Sequence, residues 1–186
     1  DGDYEIYLRE QGGQMRKLTN NTVEDVHPAW SPAGDRIYFS SNRAGTYFQI
    51  HSMRPDGNDV REVLTVVNTH VMAPSVSPSG SRIAYMRASV LEPLCQWNWD
   101  VWVMNSDGGN PHPVTSHLAA DLYPKWTPDG SEVVLAGCRN FVDFDLYAVN
   151  AVNGSQRRLT NWFLTNEWGA AYAADGAFLA FNSDRD

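Results

Sequence analysis

Cysteine is almost absent from this chain. Only Cys95 and Cys138 occur in 186 residues, which permits one disulfide and requires none, so the redox compartment stays open on that count. No stretch approaches the ~20 consecutive apolar residues of a bilayer-spanning helix, and no membrane insertion is expected. Positive charge is also scarce, with 14 Lys and Arg against 22 Asp and Glu and a net charge of −8. Binding to phosphate backbones draws mainly on Lys and Arg, so nucleic acid is not expected as a partner and a neutral or basic one suits the chain better. The N-terminus reads Asp1-Gly2-Asp3, without an initiator Met or a basic-then-apolar leader, as in a processed mature chain or a piece of a longer one. What is plentiful points to strands: seven Trp, eight Tyr and seven Phe accompany 14 Gly and 10 Pro placed in short clusters. That pattern implies many turns and few long helices.

A repeat is visible by eye. HPAWSPAGDRIYF (27–39), APSVSPSGSRIAY (73–85), YPKWTPDGSEVVL (123–135) and GAAYAADGAFLAF (169–181) align on Gly34, Gly80, Gly130 and Gly176, spaced 46, 50 and 46 apart. A second marker, an aliphatic residue followed by Thr, recurs at Leu18-Thr19, Leu64-Thr65, Val114-Thr115 and Leu159-Thr160 with spacings of 46, 50 and 45. Each unit reads as four short antiparallel strands. The first runs into a Ser-Pro-x-Gly type of turn, and the third ends at an Asp-Gly or Asn-Gly turn such as Asp56-Gly57 or Asn153-Gly154. Four strands in such a period is the signature of a propeller blade.

The succession SPxG, RIxF, SxNR, a YxI strand, DGG and LT resembles the TolB-type subgroup of WD-like β-propeller repeats, and the resemblance covers essentially the whole chain. The fourth copy departs most, with Ala173-Ala174 in place of Ser-Pro and Tyr172 in place of the Trp30 aromatic. The expected fold is all-β: a propeller with four-stranded antiparallel blades and four blade-equivalents in one domain, 1–186. Its segments are a half-blade (1–20), blades 21–65, 66–115 and 116–160, and a second half-blade (161–186). The opening DGDYEIYL reads as a third strand and the closing LAFNSDRD as a second strand, so the two halves complement each other. Three closures fit: a four-bladed ring within one chain, an eight-bladed ring formed by a homodimer, or excision from a longer propeller.

Several residues suggest chemistry. Some TolB-like propellers precede α/β-hydrolase domains, but no Gly-x-Ser-x-Gly elbow occurs, and no catalytic residue is expected. The inter-blade connections carry Asp25, His27, His70, Asp121 and Glu167, which are expected around one end of the channel as a ligand-binding set. Related oligogalacturonate lyases use His with a metal in such a place; here no HxH or HxxxH pair occurs, so no cofactor is expected, with a bound metal of unknown identity left open as the alternative. Trp97 and Trp99 lie in an insertion, 88–99, and with Trp162 and Trp168 form a candidate aromatic contact surface. Cys95 and Cys138 sit where adjacent loops can bring them together, or remain free thiols. Trp30 and Trp126, at equivalent positions, are expected to be buried between blades.

The resemblance implies a binding module more than an enzyme. Bacterial TolB proteins are periplasmic and bind other envelope proteins, so the expected partner is a protein segment, a small molecule or a glycan, in the periplasm or another extracytoplasmic space. The alternative is a carbohydrate-active propeller, lyase or glycan binder, using the His and acidic residues.

Overall fold

The computed structural model describes residues 2–88 and 98–185. It is all-β, with three four-stranded antiparallel sheets flanked by two two-stranded ones. The first small sheet pairs β1 (Tyr7–Arg9) with β2 (Met15–Lys17). The first full blade runs β3 (Asp25–Trp30), β4 (Ile37–Ser41), β5 (Gln49–Met53), β6 (Arg61–Leu64). The second runs β7 (Val71–Val76), β8 (Arg82–Ala88), β9 (Trp99–Asn105), β10 (His112–Pro113). The third runs β11 (Asp121–Trp126), β12 (Glu132–Gly137), β13 (Asp145–Asn150), β14 (Gln156–Arg158), and β15 (Glu167–Tyr172) pairs with β16 (Leu179–Ser183) in the last small sheet. Each sheet is a meander in chain order, and the first strands of successive sheets adjoin one another around the channel.

The repeat markers now have physical causes. In every unit the turn after the first strand is closed by a glycine N–H donating to the residue three before it: Gly34 to Ser31, Gly80 to Ser77, Gly130 to Thr127 and Gly176 to Ala173, at 2.8–2.9 Å. These glycines have φ of 70–74°, a conformation that a Cβ disfavours. The divergent fourth unit therefore keeps the turn without its proline. The aliphatic-Thr marker closes the other end of the blade. Thr19, Thr115 and Thr160 each accept, through Oγ1, the backbone N–H of a third-strand residue, Ile6, Val101 and Leu146, at 2.9 Å.

Because side chains alternate across a strand, each central strand feeds two inter-blade cores. Ile83 and Tyr85 of β8 pack with Tyr38, Ile50 and Val71, whereas Ala84 joins Val101, Val103, Trp126, Val133 and Leu135. Ile6 of the N-terminal small sheet packs on Ile37, Phe39 and Met53, and Ala170 of β15 packs on Val134, Ala136 and Leu146.

Trp126 is 7% exposed; its Nε1 donates to the Ser75 carbonyl of the preceding blade at 2.8 Å, and the Arg82 guanidinium lies 4.6 Å from the ring centroid. Trp30 departs from the expected burial and is 47% exposed. The reason is its neighbour: the sheet before β3 is the β1–β2 pair, which has no first or second strand to cover the indole.

Trp126→Ala should lower the unfolding free energy by about 3–5 kcal/mol, the usual cost of emptying a large aromatic site. Urea denaturation measures it, and an unchanged midpoint would overturn the assignment of Trp126 as an inter-blade filler.

Candidate binding site at the channel face

The acidic residues at the heads of the first strands are consumed inside the fold. Asp25, Asp121 and Glu167 are all buried, at 1%, 0% and 0% exposure. Both Asp25 oxygens meet Arg43 Nη2, at 2.9 and 3.0 Å, and Asn21 donates to Oδ2 at 2.7 Å. Asp121 accepts from Arg139 Nη1 at 3.0 Å. Burial pushes the Asp121 carboxyl up to about 6 against the pull of Arg139. Glu167 takes hydrogen bonds from the hydroxyls of Thr165 and Ser183 at 2.9 and 3.2 Å. The second blade has Val71 at the same position, and the facing third-strand residue, acidic as Glu5, Asp100 and Asp145 at the other junctions, becomes Gln49. Gln49 bonds Val66 through both its amide groups and reaches the Thr69 carbonyl at 3.1 Å. Charge is thus present or absent at a junction as a set.

His70 also serves the framework. Its Nδ1 accepts the Phe48 N–H at 3.2 Å, the part that Asn166 Oδ1 plays for the Phe144 N–H, and the ring lies against Tyr47, Phe48 and Trp99. Trp99 is itself buried, packed with Ala73 and Met86, so it fills the second blade and adds nothing to an aromatic contact surface. Trp162 is half-exposed beneath the Arg185 guanidinium, 3.8 Å from its centroid. Trp97 and Cys95 lie outside the described residues; Cys138 is partly buried.

What faces the channel instead is a recurring backbone irregularity. All four first strands carry a register shift between their second and fifth residues. The third residue of each stands in the left-handed region: His27 at φ 53°, Ala73 at 52°, Tyr123 at 54° and Gly169 at 65°. Such bulges turn a side chain out of the sheet, and the strain persists only where surroundings hold it. Here the preceding blade does so: the Ala73 N–H donates to Ser40 Oγ at 3.0 Å and the Tyr123 N–H to Met86 Sδ at 3.3 Å.

His27 is exposed as a result, its ring 6.3 Å from that of Tyr123. Tyr123, Trp168, Gly169 and Asn182 line a cleft of about 360 Å³ between the third blade and the last small sheet. Tyr123 and Trp168 are each about two-fifths exposed there, and Trp168 is backed by Phe144 with ring centroids 5.9 Å apart. Of the residues singled out in sequence, the structure gathers His27 and Trp168 at this face and leaves Asp25, His70, Asp121 and Glu167 in the framework. Tyr123 escaped the sequence reading although it occupies the His27 position of its repeat, two residues after the buried Asp; Asn182 carried no such signal. Among the described residues, no group of three or more His, Cys, Asp or Glu is placed to hold a metal ion.

Arg43→Met strands a buried carboxylate and should cost about 3–5 kcal/mol of stability. Adding Asp25→Val should recover most of the loss, because the second blade folds with Val71 at that position; a double variant no more stable than the single one would refute the pairing.

Burial holds the imidazoles of His51 and His70 below their ordinary value. The unfolded chain takes up protons near pH 6.5 while these folded rings stay neutral, so their contribution to stability should fall as pH drops below about 6.5, opposed by Asp121, which takes up its proton first in the folded state. His70→Asn keeps an acceptor for Phe48, as Asn166 does for Phe144, and should flatten that decline. Denaturation series from neutral to mildly acidic pH test this, and an unaltered slope would count against it.

The comparisons with known proteins agree with this geometry. The profile of the TolB beta propeller domain (PD40) matches residues 1–90 and 56–186. The Tol-Pal system protein TolB of Anaeromyxobacter dehalogenans is 29% identical over 133 residues, covering 67% of this chain and 27% of its own length. Among solved structures, TolB from Acinetobacter baumannii superposes with a TM-score of 0.75 at 20% identity, covering 90% of this chain and 40% of its own. A puromycin hydrolase gives 0.75 at 19% identity, with 98% and 32% covered. The chain spans half or less of the length of the curated relatives it matches. With a family model that matches from one end to the other and a structure of repeated antiparallel sheets, the chain belongs to the TolB β-propeller domain family.

Proposed function

We propose that this chain is a non-catalytic binding module that takes a protein segment at the channel face, in the periplasm. The observation that carries the reading is the cleft of Tyr123, Trp168, Gly169 and Asn182, where two exposed rings stand beside a glycine whose missing Cβ makes room for the Asn182 amide. Exposed aromatics on rigid strands lose little freedom on binding and are frequent anchors of recognition. The Asn182 amide supplies both a donor and an acceptor for a peptide group. The carboxylates that acid–base chemistry needs are buried in framework contacts, which favours binding over catalysis. The relative named for the Tol-Pal system supports the periplasmic assignment.

The same ring faces suit a pyranose, which stacks on Tyr or Trp, so a glycan is the second reading.

Selection of a displayed peptide library on the protein tests the proposal. Enriched peptides should bind Trp168→Ala and Tyr123→Ala roughly tenfold or more weakly, the loss expected of an anchor residue, with the unfolding midpoint held. Peptides that bind both variants as well as the parent would overturn the site, and binding of oligouronides in place of peptides would favour the second reading.

A further inference from the structure

A single ammonium stands in the channel. The first strands β3, β7, β11 and β15 adjoin one another around it, and apart from the buried acids at their heads Lys125 is the only residue of these strands that carries a full charge. Lys125 is the fifth residue of β11, and the fifth residues of the other three strands are the small Ala29, Ser75 and Ala171. Short side chains around one long one leave space. That space is a cavity of about 430 Å³ whose walls include Ser75, Pro78, Lys125, Trp126 and Ala171. Both strands that flank β11, β7 on one side and β15 on the other, contribute to it.

Lys125 lacks the partner that other cations of the blades have. Arg36, Arg43, Arg139 and Arg158 each meet a carboxylate. Among the described residues, no ion pair or hydrogen bond engages the Lys125 ammonium, and the nearby Asp121 is taken by Arg139. Burial holds the Lys125 amine below its ordinary value. Burial also lowers His27, and the charge of Lys125 lowers it further. β7 stands between β3 and β11, so this effect acts across the channel and couples Lys125 to the His27 ring, which lies 6.3 Å from that of Tyr123.

A partly desolvated, unpaired charge is unfavourable, and an incoming anion offsets that cost through charge-assisted hydrogen bonds, which are stronger than neutral ones. The net charge of −8 opposes anionic ligands elsewhere on the surface, but salt screens that field beyond about 8 Å under physiological conditions. Inside the channel the local cation therefore decides.

We propose that Lys125 anchors a carboxylate of the bound segment, either its C-terminal group or an Asp or Glu side chain; this rests on the reading that the channel face takes a protein segment. One ammonium matches one carboxylate in charge. Tyr123 lines the aromatic cleft and also stands beside His27, so stacking and ionic contacts fall on one ligand.

Acetylglycine and its amide test the carboxylate by itself. Titrated into the whole chain at constant ionic strength, acetylglycine should raise the pH at which the His27 imidazole protonates, followed by NMR, because a carboxylate beside Lys125 relieves the repulsion on the imidazolium. Acetylglycinamide should leave that pH unchanged, and Lys125→Met should abolish the response. No response in the parent, or one that survives Lys125→Met, overturns the proposal. Peptides enriched from a library displayed with free C-termini should bind the parent roughly tenfold or more tightly than Lys125→Met, the strength of a hydrogen bond to a charged group. A C-terminal amide, or Asn and Gln in place of Asp and Glu, should remove that margin and so identify which carboxylate is held. Enriched peptides indifferent to Lys125→Met would overturn the carboxylate site and leave the aromatic cleft standing. An acetylglycine response without any enriched peptide would keep Lys125 as a carboxylate site and overturn the protein-segment reading.

Discussion

Everything in this molecule depends on the packing of one twisted sheet against the next. A four-stranded blade has two apolar faces and only a thin edge facing the channel, so no blade can bury its own side chains. The cores consequently lie between sheets: Trp126 is buried by the second blade's Ser75 and Arg82, and Val71 by the first blade's Tyr38 and Ile50. Stability in such an array is close to a sum over neighbouring interfaces. A residue at an unsatisfied interface is exposed even when its sequence twin is buried, and Trp30 is that case.

The junctions also carry a second, electrostatic layer. At three of the four junctions an acid heads the first strand and meets an Arg or a hydroxyl from the end of the second strand in its own blade: Arg43, Arg139 and Ser183. Taking a carboxylate out of water is costly unless a cation and hydrogen bonds meet it. The second blade removes the charge from both sides of its junction, with Val71 and Gln49, and so avoids leaving either partner alone. These contacts tie the head of a first strand to the end of the second strand beside it and hold the channel rim of that blade.

That rigidity is what permits strain at the channel. Non-glycine residues in the left-handed region carry a conformational cost of order 1 kcal/mol or more. His27, Ala73 and Tyr123 all stand there. The bulge that results lifts His27 and Tyr123 toward the channel while their neighbours at the strand heads stay buried. A tightly satisfied framework and an outward-turned ring thus come from adjacent positions of one strand. The cleft lies where two such strands meet, at Tyr123 and Trp168.

The repeat made the fold legible: turn glycines, the aliphatic-Thr pair and alternating strands are local features, and four in-phase copies specify a meander of sheets without knowledge of any contact. The head-of-strand positions of Asp25, Asp121 and Glu167 were legible in the same way, and so was the equivalence of Trp30 with Trp126. Which way those side chains turn was not. Alternation along a strand predicts a face for each residue, but a bulge breaks the alternation, and the left-handed turns at Ala73 and Tyr123 are held by atoms of a different blade, Ser40 and Met86. Likewise the burial of Trp126 and the exposure of Trp30 differ through what stands beside each, not through anything in their own repeats. Periodic local preference therefore determined the blades, and tertiary contact alone decided which of their equivalent residues became core, framework or exposed surface, because burial belongs to a pair of neighbouring sheets and never to one strand.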